Sequence, residues 1–400
     1  MKKKTVLFVI NTMGRAGAET ALLELLRRID KEEYKVFLYV LTGQGEMLSQ
    51  IPEGVKLVNK KIDCSSVHDS EGRKHLKNVV IHSLVKDFNG VKLAPYFASN
   101  GLKMLKKKNI LADKLLWRAI SDSASRTDRK FDYAIAYIEG AAAYYVADHV
   151  NAEHKVAFIH IDYENAGYSR ELDRDCYLKF DRIFGVSQEV TDVFVKVYPE
   201  LKEKTGIFHN MLNNKAIVEK SETGEGFTDN FEGTRILTVG RLMKQKAFEV
   251  SIKACKILKD RGEKIRWYVL GEGDQREKLE ALIKELGLED DFLLLGSVDN
   301  PYPYMKQADF YVHCSRYEGK SIAIQEAQIL GKPIIVSDCS GNREQVIPDK
   351  DGLICNFTSK DIAESITELL NDKEKCRYLA ENALKVNERG QEEVKKLFDV

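Results

Sequence analysis

The chain has 400 residues, more than one ordinary core organises and about right for two domains of roughly 100–200 residues each. At 44% hydrophobic and 31% charged it has a folding composition, and 7 prolines and 26 glycines exclude collagen-like or low-complexity architectures. The 62 Lys and Arg residues balance 62 Asp and Glu residues, which argues against a dedicated nucleic-acid binder.

Lys2, Lys3 and Lys4 followed by the apolar run 6–10 imitate a signal peptide. The run stops at Asn11, short of the usual length of about 7–15 residues, so a buried strand over 5–10 is expected instead. A turn over 11–19 containing Gly14 and Gly17 follows, then a helical pattern through Leu22, Leu23, Leu25, Leu26 and Ile29. Further strands are expected at 36–41, 133–137, 156–161 and 182–186. Strands alternating with helices predict a parallel sheet covered on both faces. His160 closes one of these apolar runs, and a lone histidine there is more often structural than catalytic.

Residues 60–130 stand apart, with sixteen Lys and Arg against seven Asp and Glu. Leu102, Met104, Leu105, Leu111, Leu115, Leu116 and Trp117 recur at helical spacing beside Lys103 and the tract Lys106, Lys107, Lys108. Two readings stay open: a core-facing stripe with a solvated lysine face, or a helix resting on an anionic membrane. No apolar run approaches the length of about 18 residues that a membrane span needs. The seven cysteines are scattered, with no C-x-x-C pair, as expected of free thiols in a reducing compartment, and a cytoplasmic location follows as the expectation.

The first domain is thus expected over 1–212 and a polar, Gly-containing linker over 213–232. A second doubly wound domain is expected over 233–372, with strands at 235–239, 267–270, 292–295, 310–313 and 333–336. Its helices fall near 248–261, 274–287, 321–330 and 359–371. The charged helical segment 373–400 is expected to lie back against the first domain.

The second domain carries the chemistry. Gly240 and Arg241 follow a strand directly, and Lys246 lies five residues beyond Arg241. Open α/β sheets bind ligands at the carboxyl ends of their strands, and a planar fork plus a point charge suit a diphosphate. Gly271 and Gly273 bracket Glu272 after the next strand, where a ligand can approach the backbone closely. After the strand ending at His313 come Glu318, Gly319, Lys320, Ser321 and Ile322, with Glu326 on the helix that starts near Ser321. The N–H groups of that helix start point at an anion. His313, Cys314 and Cys339 have no metal-ligand spacing and are read as packing residues, and the D-x-D triplets at 173–175 and 349–351 as solvated charge.

This array, with Gly240-Arg241-Leu242 and Lys246, Gly271-Glu272-Gly273, Glu318 and Glu326, then Gly331-Lys332-Pro333, resembles family 4 of the retaining glycosyltransferases. Gly14, Gly17, Ala18, Glu19, His160, Asp181, Ser187, His209 and Asn210 resemble the family's markers in the other domain, so the likeness spans both domains apart from 60–130. The resemblance implies the GT-B fold, two doubly wound Rossmann-like α/β domains facing a cleft. It implies a sugar moved from a nucleoside diphosphate sugar, a UDP-sugar first of all, to a hydroxyl of a glycan or lipid-linked acceptor in cell-surface polysaccharide synthesis.

Residue by residue, it implies that Arg241 and Lys246 hold the diphosphate, helped by backbone N–H groups near Ser321 and Ile322. Glu326 would take the ribose hydroxyls, Glu318 the donor sugar, and His160 the acceptor side. No metal or other cofactor is expected, because the two cations take that place. Gly14, Gly17, Gly240, Gly271, Gly273, Gly319 and Lys320 complete the expected donor-binding set. The chain departs from the family pattern at Ala247 in place of Gly, at Lys320 in place of an apolar residue, and at Ser340-Gly341 in place of a glycine pair. A nucleotide-sugar epimerase of the same fold and a non-enzymatic bilobal sugar-binding protein are the alternatives. A dehydrogenase is disfavoured by the missing G-x-G-x-x-G fingerprint.

Overall fold

The computed structural model describes residues 3–66, 69–107, 112–385 and 391–399. The chain forms two compact units, Met1–Met211 with Arg389–Val400, and Leu212–Glu388.

The first unit is built on a parallel seven-stranded sheet: β1 (Lys4–Ile10), β2 (Tyr34–Val40), β3 (Lys56–Leu57), β4 (Phe131–Ala136), β5 (Ala152–Ile159), β6 (Arg182–Gly185) and β7 (Thr205–Ile207). Its spatial order is β3-β2-β1-β4-β5-β6-β7. The second unit holds a parallel six-stranded sheet: β8 (Thr234–Val239), β9 (Ile265–Leu270), β10 (Phe292–Gly296), β11 (Phe310–His313), β12 (Ile334–Ser337) and β13 (Leu353–Cys355), in the order β10-β9-β8-β11-β12-β13. Each order reverses once, at β1/β4 and at β8/β11, and such a switch point opens a crevice at the carboxyl ends of the strands. Both sheets are covered on two faces, so their central strands are continuous apolar runs: Val6 to Ile10 and Ile236 and Leu237 are fully buried. This is the doubly wound α/β class.

Two stretches differ from expectation. The polar segment after Leu212 is folded onto the second unit: Asn214–Ser221 is a helix whose cap, Asn213, accepts the Ala216 N–H at 3.0 Å. Further along, Asp229 accepts from Tyr268 (2.5 Å), Arg235 (2.9 Å) and Arg266 (3.0 Å). Burial works against that carboxylate, but these donors outweigh it and bring its pKa down to about 2. The C-terminal segment is divided between the units. Helix Lys373–Ala383 buries Leu379 in the second core, whereas Val394 and Leu397 enter the first and Phe398 stacks on Tyr34 at 4.0 Å.

The basic region is helical over Ser70–Val85, Ala94–Lys107 and Ala112–Ser123. Leu115 and Trp117 pack against the core with Ala119 and Ile120, as the core-facing reading has it, while Leu102 and Leu105 are exposed. Leu111 and Lys108, and the side chains of Lys106 and Lys107, lie outside the described residues. All seven cysteines are unpaired, and among the described residues no helix is long and apolar enough to cross a membrane.

Candidate functional site

At the β8/β11 switch point three glycine-bearing loops meet. Gly240 continues β8, and its carbonyl lies where a Cβ on Gly271 (φ +150°) would come within 2.0 Å. A Cβ on Gly273 would come within 2.2 Å of the Leu242 carbonyl. Only glycine lets these loops close on each other, so Gly271 and Gly273 are demanded by backbone approach to a neighbouring loop. A 3-10 turn, Lys244–Lys246, then leads into helix Phe248–Asp260 through Ala247, whose φ of 47° is left-handed. The family's glycine is thus replaced by alanine where glycine is easiest, at a cost of about 1–2 kcal/mol. Arg241 points out from this loop and is exposed.

Lys246 swings back across Gly240 to form an ion pair with Glu318. Glu318 is buried, and its Oε1 also accepts from the Ser315 hydroxyl at 2.7 Å and lies 3.1 Å from His313 Nε2. His313 Nδ1 is 3.2 Å from the Tyr311 hydroxyl. Burial and then the Lys246 charge lower the His313 pKa, keeping the ring neutral. These partners assign the proton to Nε2, which donates to Glu318 while Nδ1 accepts from Tyr311. Burial alone would raise Glu318, but the Lys246 charge and the His313 hydrogen bond outweigh it and hold the carboxyl well below the usual range. The result is a fixed carboxylate beside a cation at the carboxyl end of the sheet.

Gly319 to Ser321 lead into helix Ile322–Ile329, whose N-cap Ser321 makes no side-chain cap bond, so its first N–H groups remain available to an anion. A Cβ on Gly341 would meet the Gly319 carbonyl at 2.2 Å. Gly341 is therefore required even though Ser340 replaces its expected neighbour. Lys320 is half-buried just before the helix start. One turn into the helix, Glu326 is buried and its Oε1 accepts from the Tyr302 hydroxyl at 2.8 Å. Burial raises its pKa to about 7, against the Tyr302 hydrogen bond and the Lys220 charge.

In the first unit Gly14 lies in the loop after β1, and Gly17 begins helix Gly17–Arg28. The tight contact there belongs to Gly45, where a Cβ would fall 2.1 Å from the Met13 backbone, whereas Gly14 has ordinary clearance. His160 follows β5, its ring 5.0 Å from Tyr137 and 5.9 Å from Phe158, and its backbone N–H is received by Glu139 Oε2 at 3.1 Å. Burial takes the imidazole down to about pKa 4, so it is neutral, with Nε2 buried and without a partner among the described residues. Burial likewise raises Glu139.

The structure therefore brings Lys246, Glu318, Gly240, Gly271 and Gly273 together, with Gly319, Lys320, Ser321, Ile322 and Glu326 on the adjoining loop and helix. Arg241 stands beside them in sequence without touching a charged partner among the described residues. Two readings are corrected. His313 is no mere packing residue, because it donates to Glu318; its place at the last residue of β11 was the available signal. One aspartate of each D-x-D triplet is not solvated charge: Asp173 is fully buried, and Asp351 is buried with Oδ1 accepting the Ile347 N–H at 2.7 Å, whereas Asp175 is half-exposed and Asp349 exposed, as read from the sequence. Among the described residues no group of three or more His, Cys, Asp and Glu side chains is placed to hold a metal ion.

The two doubly wound sheets are those of the GT-B fold. HepE of Anabaena, crystallised with UDP and glucose, superposes with a TM-score of 0.66 at 16% identity over 98% of this chain and 96% of its own. Residues 227–386 match the family Glycosyl transferases group 1. A Campylobacter jejuni relative, N-acetylgalactosamine-N,N'-diacetylbacillosaminyl-diphospho-undecaprenol 4-alpha-N-acetylgalactosaminyltransferase, is 31% identical over 55% of this chain. That match spans 58% of the relative, little more than half its length. A second from the same organism, N,N'-diacetylbacillosaminyl-diphospho-undecaprenol alpha-1,3-N-acetylgalactosaminyltransferase, is 24% identical over 79% of this chain and 84% of its own.

Proposed function

We propose that the chain is a retaining, metal-independent glycosyltransferase that moves a hexosyl group from a UDP-sugar to a hydroxyl of a glycan or lipid-linked acceptor in surface-polysaccharide synthesis. The observation that carries this reading is the buried Glu318 carboxylate paired to Lys246 at the β8/β11 switch point, inside the segment that matches the group 1 family. Lys246, Arg241 and the N–H groups at Ser321 and Ile322 offset charge growing on the departing diphosphate. Glu326 takes the ribose hydroxyls, Glu318 orients the donor sugar, and neutral His160 faces the acceptor hydroxyl. UDP is favoured because HepE was crystallised with it, and the lipid-linked acceptor because both Campylobacter relatives carry diphospho-undecaprenol in their names.

Thermal unfolding with saturating UDP, GDP, ADP, CMP or NAD tests the donor site. A ligand at about 100 times its dissociation constant adds about 2.7 kcal/mol. UDP is expected to raise the melting point by several degrees, and Arg241→Ala and Glu326→Ala to abolish the shift. No shift with any diphosphate, or a shift with NAD alone, would sink the reading.

A membrane-surface acceptor gives the basic region a role. Val85, Phe88 and Val91 are 72%, 78% and 73% exposed at the corner after helix Ser70–Val85, where Asp87 and Phe88 both have left-handed φ. Lys74, Lys77 and Lys92 are exposed on the same stretch of chain. Apolar side chains flanked by lysines suit an anionic bilayer interface. Burying one phenylalanine is worth about 1.5–3 kcal/mol, so Phe88→Asp is expected to weaken co-sedimentation with phosphatidylglycerol vesicles about tenfold or more. Equal binding by both proteins would remove the membrane from the proposal.

A further inference from the structure

Tyr302 was singled out by no motif. It begins helix Tyr302–Gln307, on the connection between β10 and β11, and reaches Glu326 on helix Ile322–Ile329. Its backbone N–H is received by Asn300 Oδ1 at 3.3 Å. The Asn300 amide in turn donates to the carbonyls of Lys220 (2.8 Å) and Thr223 (3.0 Å). The polar stretch between the sheets is thereby tied through one side chain to the start of the helix bearing Tyr302. The helix Asn214–Ser221 packs on both the Tyr302 and Glu326 helices.

A buried carboxylate loses its hydration, and it keeps its charge only if donors replace the lost water. Three titratable or charged groups face Glu326 among the described residues. Tyr302 donates to it, Lys220 contributes a favourable charge from the exposed surface of its helix, and Tyr311 of β11 feels the Glu326 charge from beneath. Among the described residues only Tyr302 is hydrogen-bonded to its carboxylate. A neutral carboxyl has one proton to donate and a weaker acceptor to offer, so it makes a poorer partner for a pair of hydroxyl donors.

We propose that Tyr302 is the positioning residue of Glu326: its hydroxyl keeps the carboxylate ionised and aimed at the donor's ribose, and donor binding consequently depends on the protonation of Glu326. This rests on the donor-site reading above and deepens it, since no motif of the sequence includes Tyr302. The site then binds nucleotide best above neutrality and loses it as Glu326 takes up a proton. The shift of Glu326 to about 7 places that loss within the physiological range.

The experiment has two arms on the full chain. Without nucleotide, the difference in stability between wild type and Glu326→Gln, followed from pH 5.5 to 9, reports the Glu326 titration. The same difference in a Tyr302→Phe background is expected to move its midpoint upward by about one pH unit, because the charged form loses a donor. With UDP, the wild-type dissociation constant relative to that of Glu326→Gln is expected to improve as pH rises through 7, the ratio cancelling the titration of UDP itself. Tyr302→Phe is expected to bind UDP about fivefold more weakly than wild type at pH 7 and to approach it at pH 9.

If the nucleotide-free midpoint does not move, Tyr302 does not hold Glu326 and the proposal falls. If the midpoint moves but UDP binding follows the same pH course in all three proteins, the donor site stands and the assignment to Tyr302 is overturned. If UDP fails to bind wild type at any pH, the donor-site reading itself fails and takes this inference with it. Should Tyr302→Phe not fold, Tyr302→Gln, which retains a donor and does not titrate, is expected to keep the wild-type pH course. A shifted course in that variant counts against the proposal.

Discussion

Lys246→Ala is expected to lower kcat about 100- to 1,000-fold, the range seen when one group stabilising a developing charge is removed. The loss should fall on kcat more than on KM, because the charge on the departing diphosphate grows in the transition state. Lys246→Arg should recover only part of it, since a planar fork does not replace a point charge within the turn that crosses Gly240.

The pH dependence gives the sharper test. In the wild type, Lys246, His313 and Ser315 gather on Glu318 Oε1, and burial is outweighed, so the carboxyl stays ionised far below neutrality. Without the lysine, burial prevails and the carboxyl pKa rises. The residual activity of Lys246→Ala should therefore fall as pH drops from 8 to 6, over a range where that of the wild type is set by other groups. Glu318→Gln, which has nothing to titrate, should lack this added fall, and the double variant should resemble the worse single one because the two side chains act as a unit. A Lys246→Ala enzyme within threefold of wild-type kcat, or one with the wild-type pH course, would remove Lys246 from the reaction.

The fold was legible where burial on both faces writes itself into the chain. Val6 to Ile10 and Ile236 to Val239 read as strands because a covered parallel sheet needs continuous apolar runs. β3, β7 and β13 are two or three residues long, too short for a run to stand out. The segment after Leu212 is polar and reads as a linker, yet it is held by Asp229 reaching Arg235, Arg266 and Tyr268. Those partners are unremarkable in sequence and converge only in space.

The site divides in the same way. Gly271, Gly273, Lys246 and Glu318 were legible because a glycine turn after a strand has few other uses. His313 and Tyr302 were not. The first acts through Glu318, only five residues on but across a loop whose path the sequence does not give, and the second through Glu326, 24 residues away, which no local spacing marks. The triplet at 173–175 misled for the opposite reason. Two acids flanking an arginine look solvated, but helix Arg170–Asp173 turns the first of them inward.

That buried aspartate leads to the second large effect: Asp173→Asn is expected to remove a steep fall in stability between about pH 5 and pH 8. Asp173 Oδ1 accepts from Tyr144 at 2.5 Å, its Oδ2 is buried without a partner among the described residues, and the nearby Arg118 is engaged by Asp148 at 2.5 Å and by the Asp173 backbone carbonyl at 3.2 Å. Burial carries the carboxyl to a pKa of about 8 against the opposing pull of Tyr144 and Arg118. The folded chain thus holds a proton that the unfolded chain releases near pH 4, so stability is fully present at low pH and lost as pH rises through 8. A displacement of about four units corresponds to a swing on the order of 5 kcal/mol. Asparagine keeps the shape and can donate where Oδ2 has no donor, because the buried hydroxyls of Tyr177 and Tyr198, both of which feel the Asp173 charge, also lack partners. Urea unfolding of the two proteins from pH 5 to pH 8.5 should show curves that diverge by more than 1 kcal/mol per pH unit between about pH 5 and pH 7 and approach parallel again toward about pH 8.5, with the variant the more stable at the alkaline end. Curves parallel throughout would mean that Asp173 is ionised in the fold, and that Tyr144 and Arg118 suffice to hold its charge away from water.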